Sequence, residues 1–121
     1  MNITYAAVGI ENPYSKRRID AETLVDSDTM FFTVPEHLAI HLGYDPEAVS
    51  TRNVIFADGS RKSVPMIAPL RVHFADRYCD LSALVMGDQP IFGAVPMEMM
   101  DLVVHPASKK LMTIPDNLFA R

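Results

Sequence analysis

Short apolar runs recur along the chain, each cut off by a turn signal, and their alternation has the two-residue period of strands. Residues 3–10 form the first run, ended by Glu11, Asn12 and Pro13. Ile19, Ala21, Thr23 and Val25 then alternate with Asp20, Glu22 and Leu24, as a half-buried strand would. Residues 53–57 lead into Asp58-Gly59, the strongest hairpin-turn signal in the chain. The return strand carries Val64, Met66 and Ile67; Pro65 and Pro69 make it a poor central strand, because each lacks the backbone donor a ladder needs. Leu70, Val72 and Phe74 alternate with Arg71, His73 and Ala75. After a turn at Asp76-Arg77 the chain returns over residues 78–86, with Leu81, Ala83 and Val85 on one face. Two stretches read as helix: residues 36–42, which follow Pro35 and stop at Gly43, and residues 97–101, which follow Pro96. Residues 102–104 and 109–114 close the pattern as two short strands. The pattern predicts a mostly β domain over residues 1–121, with two short helices and a closed or nearly closed barrel.

A chain of 121 residues is long enough for one such core. The formal charge of −4 argues against nucleic-acid phosphates or anionic lipid as partners. Lys16-Arg17-Arg18 is the one basic cluster, and Asp20 and Glu22 answer it, so it reads as a solvated strand edge. The first five residues carry neither a basic nor a long apolar segment of a signal peptide, and no apolar run reaches bilayer length. Cys79 has no partner for an intrachain disulfide, which fits a reducing compartment. The expectation is a cytoplasmic protein that contacts neither membrane nor nucleic acid.

Leu24-Val25-Asp26-Ser27-Asp28-Thr29 carries the candidate chemistry, because a strand there runs straight into an acidic tripeptide. Alone, an acidic residue after a strand is most often a turn former or a helix cap. Its surroundings change the weight: a first strand from Val8 ending in Asn12-Pro13, the acidic loop, then Val34-Pro35-Glu36-His37-Leu38. The hairpin tip Ala57-Asp58-Gly59-Ser60 comes next, and Pro90-Ile91-Phe92-Gly93-Ala94 follows, ahead of a short helix and Leu102-Val103-Val104-His105-Pro106. In this order and spacing the segments resemble the retroviral-type (retropepsin-like) aspartic proteases, over residues 8–112. The family's loop reads hydrophobic-hydrophobic-Asp-Thr/Ser-Gly-Ala/Thr, and Asp28 stands here where the family keeps glycine.

The resemblance implies a closed acid-protease barrel and a peptide or protein substrate, with neither cofactor nor metal. It also implies that one chain supplies one catalytic aspartate, Asp26, so that the site forms on the two-fold axis of a homodimer. The two Asp26 carboxylates would share a proton, one acting as base on water and the other as acid toward the scissile carbonyl. Ser27 would hydrogen-bond across the dimer, Thr29 would complete the loop, and Ala57, Asp58, Gly59 and Ser60 would form a flap over the substrate. Ile91, Phe92 and Gly93 would match the hydrophobic-Gly segment that braces the fold. Glycine at the third loop position keeps Cβ away from the carboxylate and accepts unusual φ/ψ. Asp28 instead places two further carboxylates near the axis. Two outcomes are open: activity shifted toward acid pH, or a dead site. A rival reading is a non-catalytic barrel that kept the fold, the dimer and the peptide groove and serves as a binding or dimerisation module.

Other groups read more simply. His37 and His41 stand four apart on the first helix, a spacing that can bind metal, but the sequence offers no third ligand and a solvated helix face is expected. Asp26 and Asp28 as holders of a hard cation rank below proteolysis. Cys79 reads as a small core residue, and the eight methionines, Met97, Met99 and Met100 among them, as fillers of core and dimer interface.

Overall fold

Alternation fixes the first hairpin of the computed structural model, which describes residues 3–114. Strand β1 (Thr4–Glu11) pairs antiparallel with β2 (Arg18–Val25), in unbroken register from Thr4↔Val25 to Glu11↔Arg18. Val8, Ile10, Thr23 and Val25 turn inward, and Asp20 and Glu22 face solvent. The chain continues through β3 (Phe32–Val34), α1 (Glu36–His41), β4 (Thr51–Ile55), β5 (Arg61–Phe74) and β6 (Arg77–Val85). It ends with β7 (Ile91–Phe92), α2 (Ala94–Met99), β8 (Leu102–Val104) and β9 (Leu111–Thr113). Gly43, at φ +95°, takes the left-handed conformation just past α1, where a Cβ would be strained.

Six strands close into a barrel in the order β1-β2-β7-β3-β6-β5, because β5 pairs back onto β1 at Gly9↔His73 and Ile10↔Val72. Strand β4 stays outside this ring and pairs with β5 alone, so the β4–β5 hairpin projects from the barrel. Strands β8 and β9 form a separate two-stranded ribbon. The barrel is filled by Phe32 and Phe92, packed edge to face at 5.3 Å, with Ile10, Leu42, Ile67, Leu70 and Val72 around them. None of the described helices is long and apolar enough to cross a membrane.

Two elements differ from the expectation. Residues 61–74 form one long central strand despite Pro65 and Pro69. Pairing explains why. Strand β5 pairs with β4 up to Pro65 and with β6 from Met66 onward, so Pro65 stands where one partner hands over to the other. Pro69 falls in the register irregularity between Ile67 and Leu70, where the ladder is already broken. Helix α2 starts at Ala94, three residues before the expected start, and places Pro96 inside its first turn. Proline is tolerated there because the first backbone N–H groups of a helix have no internal partner. Of the methionines expected to fill core and dimer interface, Met97 and Met100 are buried in the core and Met99 is 54% exposed.

Asn12 ties the first hairpin to α1. It is buried, its amide nitrogen donates to the Leu42 carbonyl at 3.0 Å, and its amide oxygen accepts from the Tyr14 backbone N–H at 3.0 Å. Replacement by alanine removes both bonds, although the Leu42 carbonyl keeps the Ser15 hydroxyl as a donor at 2.8 Å. Asn12→Ala is therefore expected to cost about 1–3 kcal/mol of unfolding free energy, read by chemical denaturation; an unchanged midpoint would show that water substitutes fully for the amide.

Candidate active site

The acidic loop leaves β2 at Asp26 and is held from below by β7. Leu24 donates its backbone N–H to the Pro90 carbonyl at 3.1 Å, and Asp26 donates its own to Phe92 at 3.0 Å. The far side of the loop is tied to the start of α2: Ala94 N–H donates to the Thr29 carbonyl at 2.7 Å and Val95 N–H to that of Met30 at 3.0 Å. Gly93 lies between these two sets of bonds. A Cβ there would fall 2.6 Å from the Thr29 carbonyl oxygen and also collide with the Phe31 carbonyl. Its φ of −87° is ordinary, so space rather than conformation demands glycine.

Within the loop the Asp26 carboxylate is held at both oxygens. Oδ1 accepts from the Asp28 backbone N–H at 3.0 Å, and Oδ2 accepts from the Thr29 hydroxyl at 3.1 Å. Thr29 N–H closes the turn on the Asp26 carbonyl at 3.2 Å. Asp26 is half-buried, so its carboxylate is oriented by the loop and still meets solvent. The Asp28 side chain is exposed, and its backbone lies outside the left-handed region. The expectation that this position needs glycine's unusual φ/ψ does not hold for this loop, because the amide reaches the carboxylate from an ordinary conformation. Ser27 is exposed, and its hydroxyl forms no hydrogen bond among the described residues.

Asp28 and Thr29 form one wall of a groove of about 500 Å³. Its other wall is the β4–β5 hairpin, through Val54, Ile55, Phe56 and Ala57. The tip beyond is a tight turn: Phe56 N–H donates to the Ser60 carbonyl at 2.8 Å, and Gly59 takes φ +85° with open space around it. Asp58 accepts from the Ser60 backbone N–H at 2.9 Å, and hydrogen bonds from Ser60 hold its carboxyl below the usual carboxylate range. Asp58, Gly59 and Ser60 are exposed and lie beyond the groove wall. Of the hydrophobic-Gly segment, Ile91 lines the groove, Phe92 fills the core, and Gly93 seats the loop.

The groove floor was not legible in the sequence. Thr33 and Leu84 contribute to it from the short strand β3 and from β6, and residues 32–34 are too few for a period to show. A threonine between two core residues, Phe32 and Val34, is the one local signal. The remaining candidates stay apart from this site. His37 and His41 are exposed on α1, and no group of three or more His, Cys, Asp or Glu among the described residues is arranged to hold a metal ion. Cys79 is half-buried, and burial pushes its thiol up, away from nucleophilic reactivity.

Gly93→Ala forces a methyl into the loop carbonyls and is expected to destabilise the fold by about 1–3 kcal/mol. It should also shift the amide resonances of Thr29 and Phe31 in heteronuclear NMR spectra. A variant with wild-type stability and unshifted loop resonances would contradict the seating of the loop on Gly93.

No protein-family model and no curated protein matches this sequence. Solved structures do. The retroviral protease-like domain of Ddi1 from Leishmania major is 16% identical, with a TM-score of 0.66, and the match covers 97% of this chain and 98% of that one. The EIAV protease complexed with the inhibitor HBY-793 is 14% identical at a TM-score of 0.60, covering 80% and 86%. A retropepsin-like aspartic protease from Rickettsia conorii is 12% identical at 0.59, covering 87% and 90%. With its six-stranded closed barrel, two short helices and loop order, the chain has the retropepsin-like fold.

Proposed function

We propose that the protein is a homodimeric aspartic endopeptidase whose site joins two copies of the Asp26 loop. The observation that carries this reading is the held Asp26 carboxylate: both its oxygens are oriented by the loop whose Asp28 and Thr29 line the groove of about 500 Å³. In the dimer two Asp26 carboxylates face each other and hold one proton between them, because two like charges at contact are costly. The ionised member takes a proton from water, whose oxygen attacks the scissile carbonyl carbon. The protonated member gives its proton to the carbonyl oxygen. The resulting gem-diol collapses: the C–N bond breaks, the carboxyl that took the water proton gives it to the leaving amine nitrogen, and the other carboxylate takes a diol proton, which restores one proton to the pair. Thr29 keeps the Asp26 carboxylate in the orientation this exchange needs, and the β4–β5 hairpin acts as the flap that excludes water.

The dimer also has a surface to form on. Val103 and Met112 are cross-strand partners on the β8–β9 ribbon, exposed at 46% and 43%. Among the described residues the ribbon pairs with no third strand, and a two-stranded ribbon is marginal in water, so a second copy is its natural cover. Arg77 holds the ribbon to the barrel, donating to the Met100 and Asp101 carbonyls at 2.8 Å and to that of Ile114.

Asp28 tunes the site and does not dismantle it, since its amide still serves Asp26. Its added charge favours the protonated dyad, so cleavage is expected to peak on the acid side of neutrality and fall toward pH 8. Asp26→Asn should lower kcat by at least about a thousandfold, and Asp28→Gly should raise cleavage near neutral pH. Wild type and Asp28→Gly that both form folded dimers yet cleave nothing in a broad peptide library between about pH 4 and 7 would contradict catalysis and leave the peptide-binding module as the better reading. Sedimentation at micromolar concentration should show a dimer, and Val103→Asp/Met112→Asp should convert it to a folded monomer without activity. A monomeric variant that still cleaves peptides would overturn the shared site.

A further inference from the structure

One charged side chain lines the groove, and its charge is unanswered. Asp28 is the charged residue of a lining that is otherwise mostly apolar, with Met30 and Phe31 on its own side and Ile55 and Phe56 on the hairpin. Its side chain is exposed, so a ligand in the groove can meet it directly. The carboxylate forms no hydrogen bond or ion pair among the described residues; the backbone N–H alone is engaged, with Asp26 Oδ1 at 3.0 Å. Arg52 is committed elsewhere: its guanidinium lies over the Phe31 ring, 5.6 Å from the centroid, and lines a separate cleft with Leu81 and Pro96. The bond to Asp26 also fixes where Asp28 sits. It stands beside the reacting carboxylate, and so beside the residues that adjoin a scissile bond. In the proposed dimer two Asp28 carboxylates add to the charge of the ionised Asp26, and no lining residue offsets them.

We infer that Asp28 is a specificity-determining residue that selects a basic side chain, lysine or arginine, next to the scissile bond. This rests on the reading of the groove as a peptide site and names the class of peptide it takes. The family keeps glycine at this position, so the preference comes from this chain's departure from the motif. Electrostatics acts in both directions. An ammonium or guanidinium group entering an apolar groove loses water and needs a countercharge, which Asp28 supplies. A neutral side chain laid over Asp28 strips water from the carboxylate and returns no partner, and an acidic one adds like charge. Asp28 keeps contact with solvent, so the gain is that of a partly exposed ion pair, a factor of about five in affinity.

The test measures peptide binding by fluorescence polarisation on Asp26→Asn, which does not cleave and carries no charge at residue 26. The peptides are capped at both ends and differ only as lysine, norleucine or glutamate at each position in turn, so side chains alone set the charge. At a position flanking the scissile bond, lysine should bind about fivefold more tightly than norleucine, and glutamate more weakly than either. Added salt should shrink the difference. Asp26→Asn/Asp28→Asn keeps the shape of the site and should lose the lysine preference, and Asp26→Asn/Asp28→Lys should favour glutamate. Peptides that bind with equal affinity for lysine and norleucine at every position overturn this inference alone, as does a lysine preference that survives Asp28→Asn. Binding of no peptide at all by a folded dimer overturns the peptide-groove reading and this inference with it.

Discussion

The structure depends on a short set of backbone hydrogen bonds around a residue that has no side chain. Asp26 and Leu24 hang from the carbonyls of Phe92 and Pro90, and Thr29 and Met30 are gripped by the first amides of α2. Gly93 lets these two sets of bonds close on each other, because its missing Cβ is the space occupied by the Thr29 and Phe31 carbonyls. A loop holds a carboxylate in one orientation poorly unless something rigid supports it. Here the support is the barrel itself. Strand β7 bridges β2 and β3, and Phe92 anchors it in the core against Phe32.

The groove follows from how the barrel closes. Strand β5 pairs along its length with three others, β4, β6 and β1, and only β4 lies outside the ring. Its hairpin therefore stands over the open end where the Asp26 loop emerges, and the space between them is the groove. The floor is made where short strands meet, and each contributes one residue to it. Core and groove thus share strands but use opposite faces: Phe32 and Val34 stabilise the fold, while Thr33 between them lines the groove.

Long strands were legible in the sequence because their periods are long enough to see. The first strand shows as an apolar run over residues 3–10, the strands near residues 19–25 and 78–86 show as alternating patterns, and Asp58-Gly59 marks its turn. The acidic loop and the Ile91-Phe92-Gly93 segment were found as motifs in order, although the physical reason for Gly93 lies in contacts with Thr29 and Phe31 that only the folded chain brings together. What failed to show was whatever depends on neighbours. Two- and three-residue strands such as β7 and β3 carry no period, and their pairing is decided by the elements around them. Pro65 and Pro69 argued against a central strand, but the strand changes partners at the first and breaks register at the second. Asp28 looked like a break in the motif because its side chain and charge stand where the family keeps glycine. In this loop the conformation is ordinary and the amide does the work.

The central claim is that two Asp26 carboxylates form one site. The most direct measurement is a crystal structure of the protein bound to a statine-type peptide inhibitor. The account predicts one inhibitor per two chains, with the Asp26 carboxylates within hydrogen-bonding distance of each other, about 3 Å, and the statine hydroxyl between them. A dimer that separates the two Asp26 side chains, or an inhibitor bound to one chain away from the Asp26 loop, would contradict it.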